Sequence, residues 1–242
     1  MYKALDPAKI VATLAKLQQR IGERFPDSGL LKVSDELIGV AKATSADVVR
    51  IARPNIALRL LVAIMLALAA ATIFWLGAHA LKLKASDELT SVVQGVDASV
   101  SLLIVLGGSA LFLSTLESRW RRDAALKSLH RLRSIVHVID MHQLTKDPSA
   151  YGGPRTSASP QRTMTPFELQ RYLGYCSELL SLSGKVAALY ADKLRDPIVV
   201  EGVGDIERLT TELSQKIWQK IVLIGDHDEH FQGATIQPPK AL

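Results

Sequence analysis

Two stretches of the chain hold no charged side chain: Leu60 to Ala78 (LLVAIMLALAAATIFWLGA) and Ala98 to Leu116 (ASVSLLIVLGGSALFLSTL), each 19 residues long. As helices rising 1.5 Å per residue, each reaches roughly 29 Å, the thickness of a bilayer's hydrocarbon core. A hydrophobic hairpin buried in a soluble domain is the competing reading, but buried soluble helices seldom run so far without charge. The pattern therefore predicts a transmembrane hairpin over 56–118, with spans at about 58–80 and 98–117 and an outer loop at about 81–97. Trp75 near one end of the first span and Trp120 just beyond the second stand where interfacial aromatic anchors are expected.

Outside these stretches the apolar positions recur at helical spacing. Asp6-Pro7 opens a helix with an N-cap and Pro at its first position, and Ile10, Leu14, Leu17 and Ile21 form its stripe. Pro26-Asp27-Ser28-Gly29 ends it. A second stripe, Leu37, Ala41, Thr44, Val48 and Ile51, runs up to Pro54, so 1–55 reads as N-terminal cytosolic helices. No proline interrupts 98–145, so the second span can continue as a juxtamembrane stalk over 119–145 with Leu129, Leu132, Val136 and Ile139 on one face. Residues 146–165, rich in Pro, Gly and Ser/Thr, read as a flexible linker.

Thr165-Pro166-Phe167-Glu168 is a capping box with Pro at N1, opening a cytosolic helical hairpin over 166–225. Its first helix carries the heptad-like series Leu169, Leu173, Cys176, Leu180, Ser183, Ala187, Tyr190 and Leu194, widened by Leu179, Leu182, Val186 and Leu189. Asp196-Pro197 turns the chain into a last helix at about 203–224, with Ile206, Leu209, Leu213, Ile217, Ile221 and Ile224 inward; 226–242 reads as a frayed tail. The predicted class is all-α: two spans carrying a small bundle of amphipathic cytosolic helices. The stripe Leu173, Cys176, Leu180, Ser183, Ala187 and Tyr190 is wider than one partner helix covers, which predicts a homo-oligomer, most simply a dimer.

Composition sharpens this picture. Hydrophobic residues make up 48% of the chain against 22% charged, and aromatics only 5%, so Leu, Ala, Val and Ile carry the apolar excess and helix is the natural class. A single cysteine, Cys176, excludes an intrachain disulfide, and the first twenty residues lack the basic-then-apolar pattern of a cleavable signal. The net charge of +5 divides as +4 over 1–59, −1 over 60–114, +4 over 115–135 and −2 over 136–242. Positive charge therefore flanks the apolar segments instead of striping a folded domain, and nucleic acid is not an expected partner. Arg50, Arg53 and Arg59 precede the first span; Arg119, Arg121, Arg122, Lys127, Arg131 and Arg133 follow the second; the loop offers only Lys82 and Lys84. This asymmetry predicts cytoplasmic termini and an external loop, in a bacterial inner (plasma) membrane. Arg53, Arg59, Arg119, Arg121 and Arg122 are the expected interface residues, able to meet anionic lipid headgroups as well as fix topology.

Helices in lipid pack through small residues. Ala63, Ala67 and Ala71 repeat at every fourth position, and Gly107, Ala110 and Ser114 at spacings of three and four, so these are expected to form the seam of the hairpin or, in the competing reading, contacts between protomers. Neither span carries an ionisable residue in its middle, which argues against a transporter or pump.

The candidates for chemistry are sparse. Asp226, His227, Asp228, Glu229 and His230 are adjacent in a tail with no scaffold to converge them on a metal. On the stalk, His142 points about 160° from Asp140, so His137, Asp140 and His142 make a poor three-ligand site. Ser183-Gly184-Lys185 lacks the first glycine and final Ser/Thr of a phosphate loop, and Gly202-Val203-Gly204 follows no strand. No catalytic, metal or cofactor site is expected. The expected function is a membrane-anchored helical scaffold, sensor or subunit binding a cytosolic protein; the alternative is an oligomeric effector or pore former with Ser101, Gly108 and Ser109 as a weakly polar face.

Overall fold

The computed structural model describes residues 5–53, 55–80, 89–146, 157 and 164–234. Among these there are six helices and no strand: α1 (Pro7–Arg24), α2 (Gly29–Ala52), α3 (Ile56–Ala80), α4 (Leu89–Leu144), α5 (Pro166–Lys193) and α6 (Pro197–Ala234). The chain divides into two units, one of Met1–Ala52 with Ala125–Leu242 and the other of Arg53–Ala124, and α4 runs unbroken from the second into the first.

The first unit is a helical bundle whose helix starts are set by local chemistry. Asp6 accepts the Ala8 N–H at 3.0 Å ahead of Pro7. Ser28 Oγ accepts the Leu31 N–H at 3.2 Å at the start of α2. The capping box forms in both directions, Glu168 N–H to Thr165 Oγ1 at 3.2 Å and Thr165 N–H to Glu168 Oε2 at 2.8 Å. These bonds hold the Glu168 carboxyl below its usual range, first through the Thr165 N–H, then through the Thr165 hydroxyl, with Arg24 adding to the effect.

The apolar stripes of α1, α2 and the stalk part of α4 are buried at every expected position, Thr44 included. Helix α5 is the centre of the bundle. Fourteen of its 28 residues are buried, because α6 packs on one side and α1 and α2 on another. A fully buried Leu contributes roughly 2 kcal/mol, so this helix supplies much of the bundle's cohesion. Leu173, Cys176, Leu180, Ser183, Ala187 and Tyr190 are all buried within the one chain. The face from which self-association was expected is thus closed by the chain's own helices, α1 and α2 included, which a pairwise reading of α5 with α6 and the stalk left out.

Helix α6 differs from expectation at both ends. It begins at Pro197, where Asp196 Oδ1 accepts the Ile198 and Val199 N–H groups at 3.0 and 3.4 Å. Asp-Pro is an N-cap and N1 pair here as it is at Asp6-Pro7, and Gly202 and Gly204 do not interrupt the helix. Gly202 faces α4, where an added Cβ would stand 3.5 Å from Leu129 Cδ1. The helix continues to Ala234, past Gly225, so the backbone of 226–234 is helical where a frayed tail was expected. Helix α4 begins at Leu89, inside the expected loop. The linker of 146–165 lies almost wholly outside the described residues.

The second unit holds α3 and the first part of α4, both apolar on all sides. Each carries a window long and apolar enough to cross a membrane, and only 6% and 0% of those windows are buried. A core helix of a soluble protein has the same composition but is mostly covered. The more covered positions run along Leu58, Val62, Met65, Ala69 and Ile73 on α3 and along Leu102, Leu106, Ser109, Leu113 and Leu116 on α4. Ala63, Ala67, Ala71 and Ser114 are exposed, Gly107 and Ala110 half-buried, and a Cβ added at Gly107 or Gly108 would meet nothing within 4 Å. The small residues of α3 are thus exposed, whereas on α4 Gly107 and Ala110 are as covered as the apolar positions beside them. A helix that is apolar all round has no polar face to mark its outside, so the spacing of small residues alone does not choose which side turns in.

Candidate functional site

Where α2 gives way to α3, Asn55 starts the apolar helix. Its Oδ1 accepts the Leu58 N–H at 3.3 Å and its carbonyl the Arg59 N–H at 3.0 Å. Its own N–H donates across to Glu117 Oε1 at 3.0 Å, on α4 immediately after that helix's uncharged stretch. Glu117 also pairs with Arg121, one turn on, and lies 3.7 Å from Arg59 Nε. Arg121 reaches further, donating from Nη2 to the Arg53 carbonyl at 2.9 Å. One carboxylate, only 13% exposed, thereby gathers Asn55, Arg59 and Arg121, and through Arg121 the backbone of Arg53, into a single polar layer at one end of both apolar helices.

Of the interface residues expected from sequence, Arg59 and Arg121 meet here by their side chains and Arg53 by its backbone carbonyl. Glu117, which holds them, escaped sequence reasoning; its signal was an acid flanking an uncharged span opposite a cluster of arginines. Arg119 and Trp120 are exposed, Arg122 is half-buried, and Trp75 is exposed toward the other end of α3.

In the bundle, Gln143 forms a polar node that the stalk's apolar pattern concealed. It is 2% exposed, yet Lys220 Nζ donates to its Oε1 at 2.7 Å and its carbonyl at 3.1 Å, and its own amide donates to Asp140 at 2.6 Å. Asp140 is thus bound to Gln143, His137 is exposed, and the His142 ring occupies the space where a Cβ on Gly29 would stand. Burial, and secondarily Lys146, push the His142 imidazole below its usual pKa. The three stalk candidates do not converge, and among the described residues no three His, Cys, Asp or Glu stand together as metal ligands. The side chains of Asp226 to His230 lie outside the described residues.

A cleft of about 540 Å³ between α5 and α6 is lined by Ser and Thr hydroxyls, Lys185, Glu207 and Trp218. Several of its polar groups are served from within: Lys185 donates to Ser181 Oγ at 2.8 Å, and Thr210 and Thr211 donate to the Glu207 carbonyl at 3.0 and 2.8 Å. Beside it Gly184 allows close approach, since a Cβ there would stand 3.2 Å from Thr210 Oγ1. Cys176 is a core residue whose burial pushes its thiol up to about 12, away from the range of a reactive thiolate.

Comparison with known protein families, with curated proteins and with solved structures finds no match for this chain.

Proposed function

We propose that this chain is an integral membrane protein of two spans, α3 and the first part of α4, which anchors a helical bundle at the cytoplasmic face as a scaffold, sensor or partner-binding subunit. The observation that carries the reading is a contrast in burial. The stripes of the bundle helices are almost wholly covered, whereas the apolar windows of α3 and α4 are covered at 6% and 0% of their positions. Apolar surface on that scale is stable only against lipid or other apolar helices. The basic residues at 50–59 and 119–133 orient both termini to the cytoplasm.

A partner or second copy has surface to meet on the bundle. Met141 and Leu144 at the end of α4, and Trp218, Val222 and Leu223 on α6, are exposed on the helix segments that the Gln143–Lys220 node joins. No reaction is assigned to the chain. Reporter fusions at Met1 and Leu242 should both read cytoplasmic and one near Ser91 external, and the protein should resist extraction by alkaline carbonate. A carbonate-soluble protein refutes the anchor; an external C-terminus refutes the topology.

A second reading draws on the outward small-residue face. Ala63, Ala67 and Ala71, with Gly108 between exposed Ile104, Val105 and Phe112, leave room for close helix approach from outside the protomer. That favours assembly of several copies in the membrane, as an oligomeric effector would require. Conductance in liposomes separates the two readings.

A further inference from the structure

We propose that the arginine layer around Glu117 is a binding site for the headgroup phosphate of anionic phospholipids; this rests on the two-span reading and deepens it. Arg59 and Arg121 stand against the single carboxylate of Glu117, a surplus of one positive charge, and Arg121 also holds the backbone carbonyl of a third arginine, Arg53. The carboxylate is committed on several sides, to the Asn55 N–H at 3.0 Å, to Arg121 and to Arg59. It therefore serves as the scaffold of the layer, fixing the start of α3 against α4, and cannot neutralise both of its guanidinium partners.

Arg121 is engaged at both Glu117 and the Arg53 carbonyl, whereas Arg59 meets Glu117 only loosely at 3.7 Å with its side chain 64% exposed. The Arg53 side chain is exposed, with its backbone carbonyl held by Arg121. The exposed Arg59 guanidinium on this fixed base, with exposed Arg53 shortly before it in the chain, offers the forked donors that phosphate oxygens favour. Their depth fits as well. Arg59 immediately precedes one uncharged stretch and Glu117 immediately follows the other, so the layer falls where the hydrocarbon core gives way to headgroups. Arg119 lies at nearly the same depth but about 160° around α4 from Glu117, which makes it a matched control for surface charge alone.

The test uses the full chain reconstituted in vesicles of phosphatidylcholine with phosphatidylglycerol, extracted in mild detergent, with the lipid retained per chain counted by mass spectrometry. The wild type should retain phosphatidylglycerol in preference to phosphatidylcholine. Arg53→Gln should lower that preference about fivefold, the equivalent of ~1 kcal/mol per headgroup-facing charge, while Arg119→Gln leaves it unchanged. Equal retention of both lipids overturns the site, and so does an Arg119→Gln variant that loses as much as Arg53→Gln. Saturation of the layer by inorganic phosphate with no lipid preference makes it a free-anion site and overturns the lipid assignment. A chain stripped from the vesicles by carbonate refutes the span reading itself, whereas one that stays embedded without preference refutes only the headgroup site.

Discussion

Glycine substitutions at two helix positions should have opposite signs, and the structure sets both. At Gly29, the first residue of α2, an added Cβ would stand 2.3 Å from His142 Cε1 and 3.0 Å from its Nε2. Ordinary contact requires about 3.4 to 3.5 Å, so the ring must retreat by roughly 1.1 Å from a half-buried position. Overpacking of this kind costs about 1–3 kcal/mol, and at the first residue of a helix the better propensity of Ala, ~1 kcal/mol in a helix interior, returns only a small part of it. Gly29→Ala should therefore destabilise the bundle by about 1–2 kcal/mol. At Gly204, inside α6, a Cβ meets nothing within 4 Å, so Gly204→Ala should gain about 0.5–1 kcal/mol from helix propensity alone. Thermal unfolding of the full chain in detergent, followed by far-ultraviolet circular dichroism, should show Gly29→Ala lower by roughly 2–6 °C and Gly204→Ala slightly higher. In the double variant Gly29→Ala with His142→Ala the clash disappears, so the combined loss should be smaller than the sum of the two single losses. A Gly29→Ala protein as stable as the wild type, or strict additivity with His142→Ala, refutes the contact.

Tyr190 is fully buried and its hydroxyl has no hydrogen-bond partner among the described residues, so Tyr190→Phe should leave stability unchanged or raise it by about 1 kcal/mol; a clear loss in chemical denaturation would reveal a partner for that hydroxyl. The His142 imidazole has its pKa lowered in the folded state, so its contribution is complete above the unfolded value near 6.5 and is lost as pH falls through the folded one. Stability measured by unfolding from pH 7.5 to 5 should fall with acid, and a His142→Gln variant should lose part of that slope. Ser183 is 0% exposed and donates to the Leu179 carbonyl at 2.9 Å, so Ser183→Asp should unfold the bundle outright, whereas Trp218→Glu on the exposed face of α6 should keep the fold and weaken any self-association seen by cross-linking. Cys176 in the native chain should resist alkylation by iodoacetamide at pH 8 and react only after denaturation.

Much of this architecture is encoded locally and was legible without coordinates. Helix starts at Asp6-Pro7 and Thr165-Pro166 depend on groups two or three residues apart, and the stripes of α1, α2 and α5 depend on spacings of three and four. The length of the uncharged stretches likewise follows from counting. The same local signal was present at Asp196-Pro197 and was masked by the two glycines behind it.

Pairings between distant segments belong to the tertiary structure. Asn55 and Glu117 are 62 residues apart, Gln143 and Lys220 are 77 apart, and no periodicity relates them. The wide stripe of α5 announced that it would be covered, but whether by a second copy or by α1, α2 and α6 of the same chain depended on how four helices fit together. Which side of α3 and α4 turns inward was likewise undetermined, because a helix apolar on all faces gives up no polar side in choosing. Sequence fixes a contact when one face is too polar to bury; where every face can be buried, or where a buried polar group needs a partner far along the chain, only the assembled packing decides.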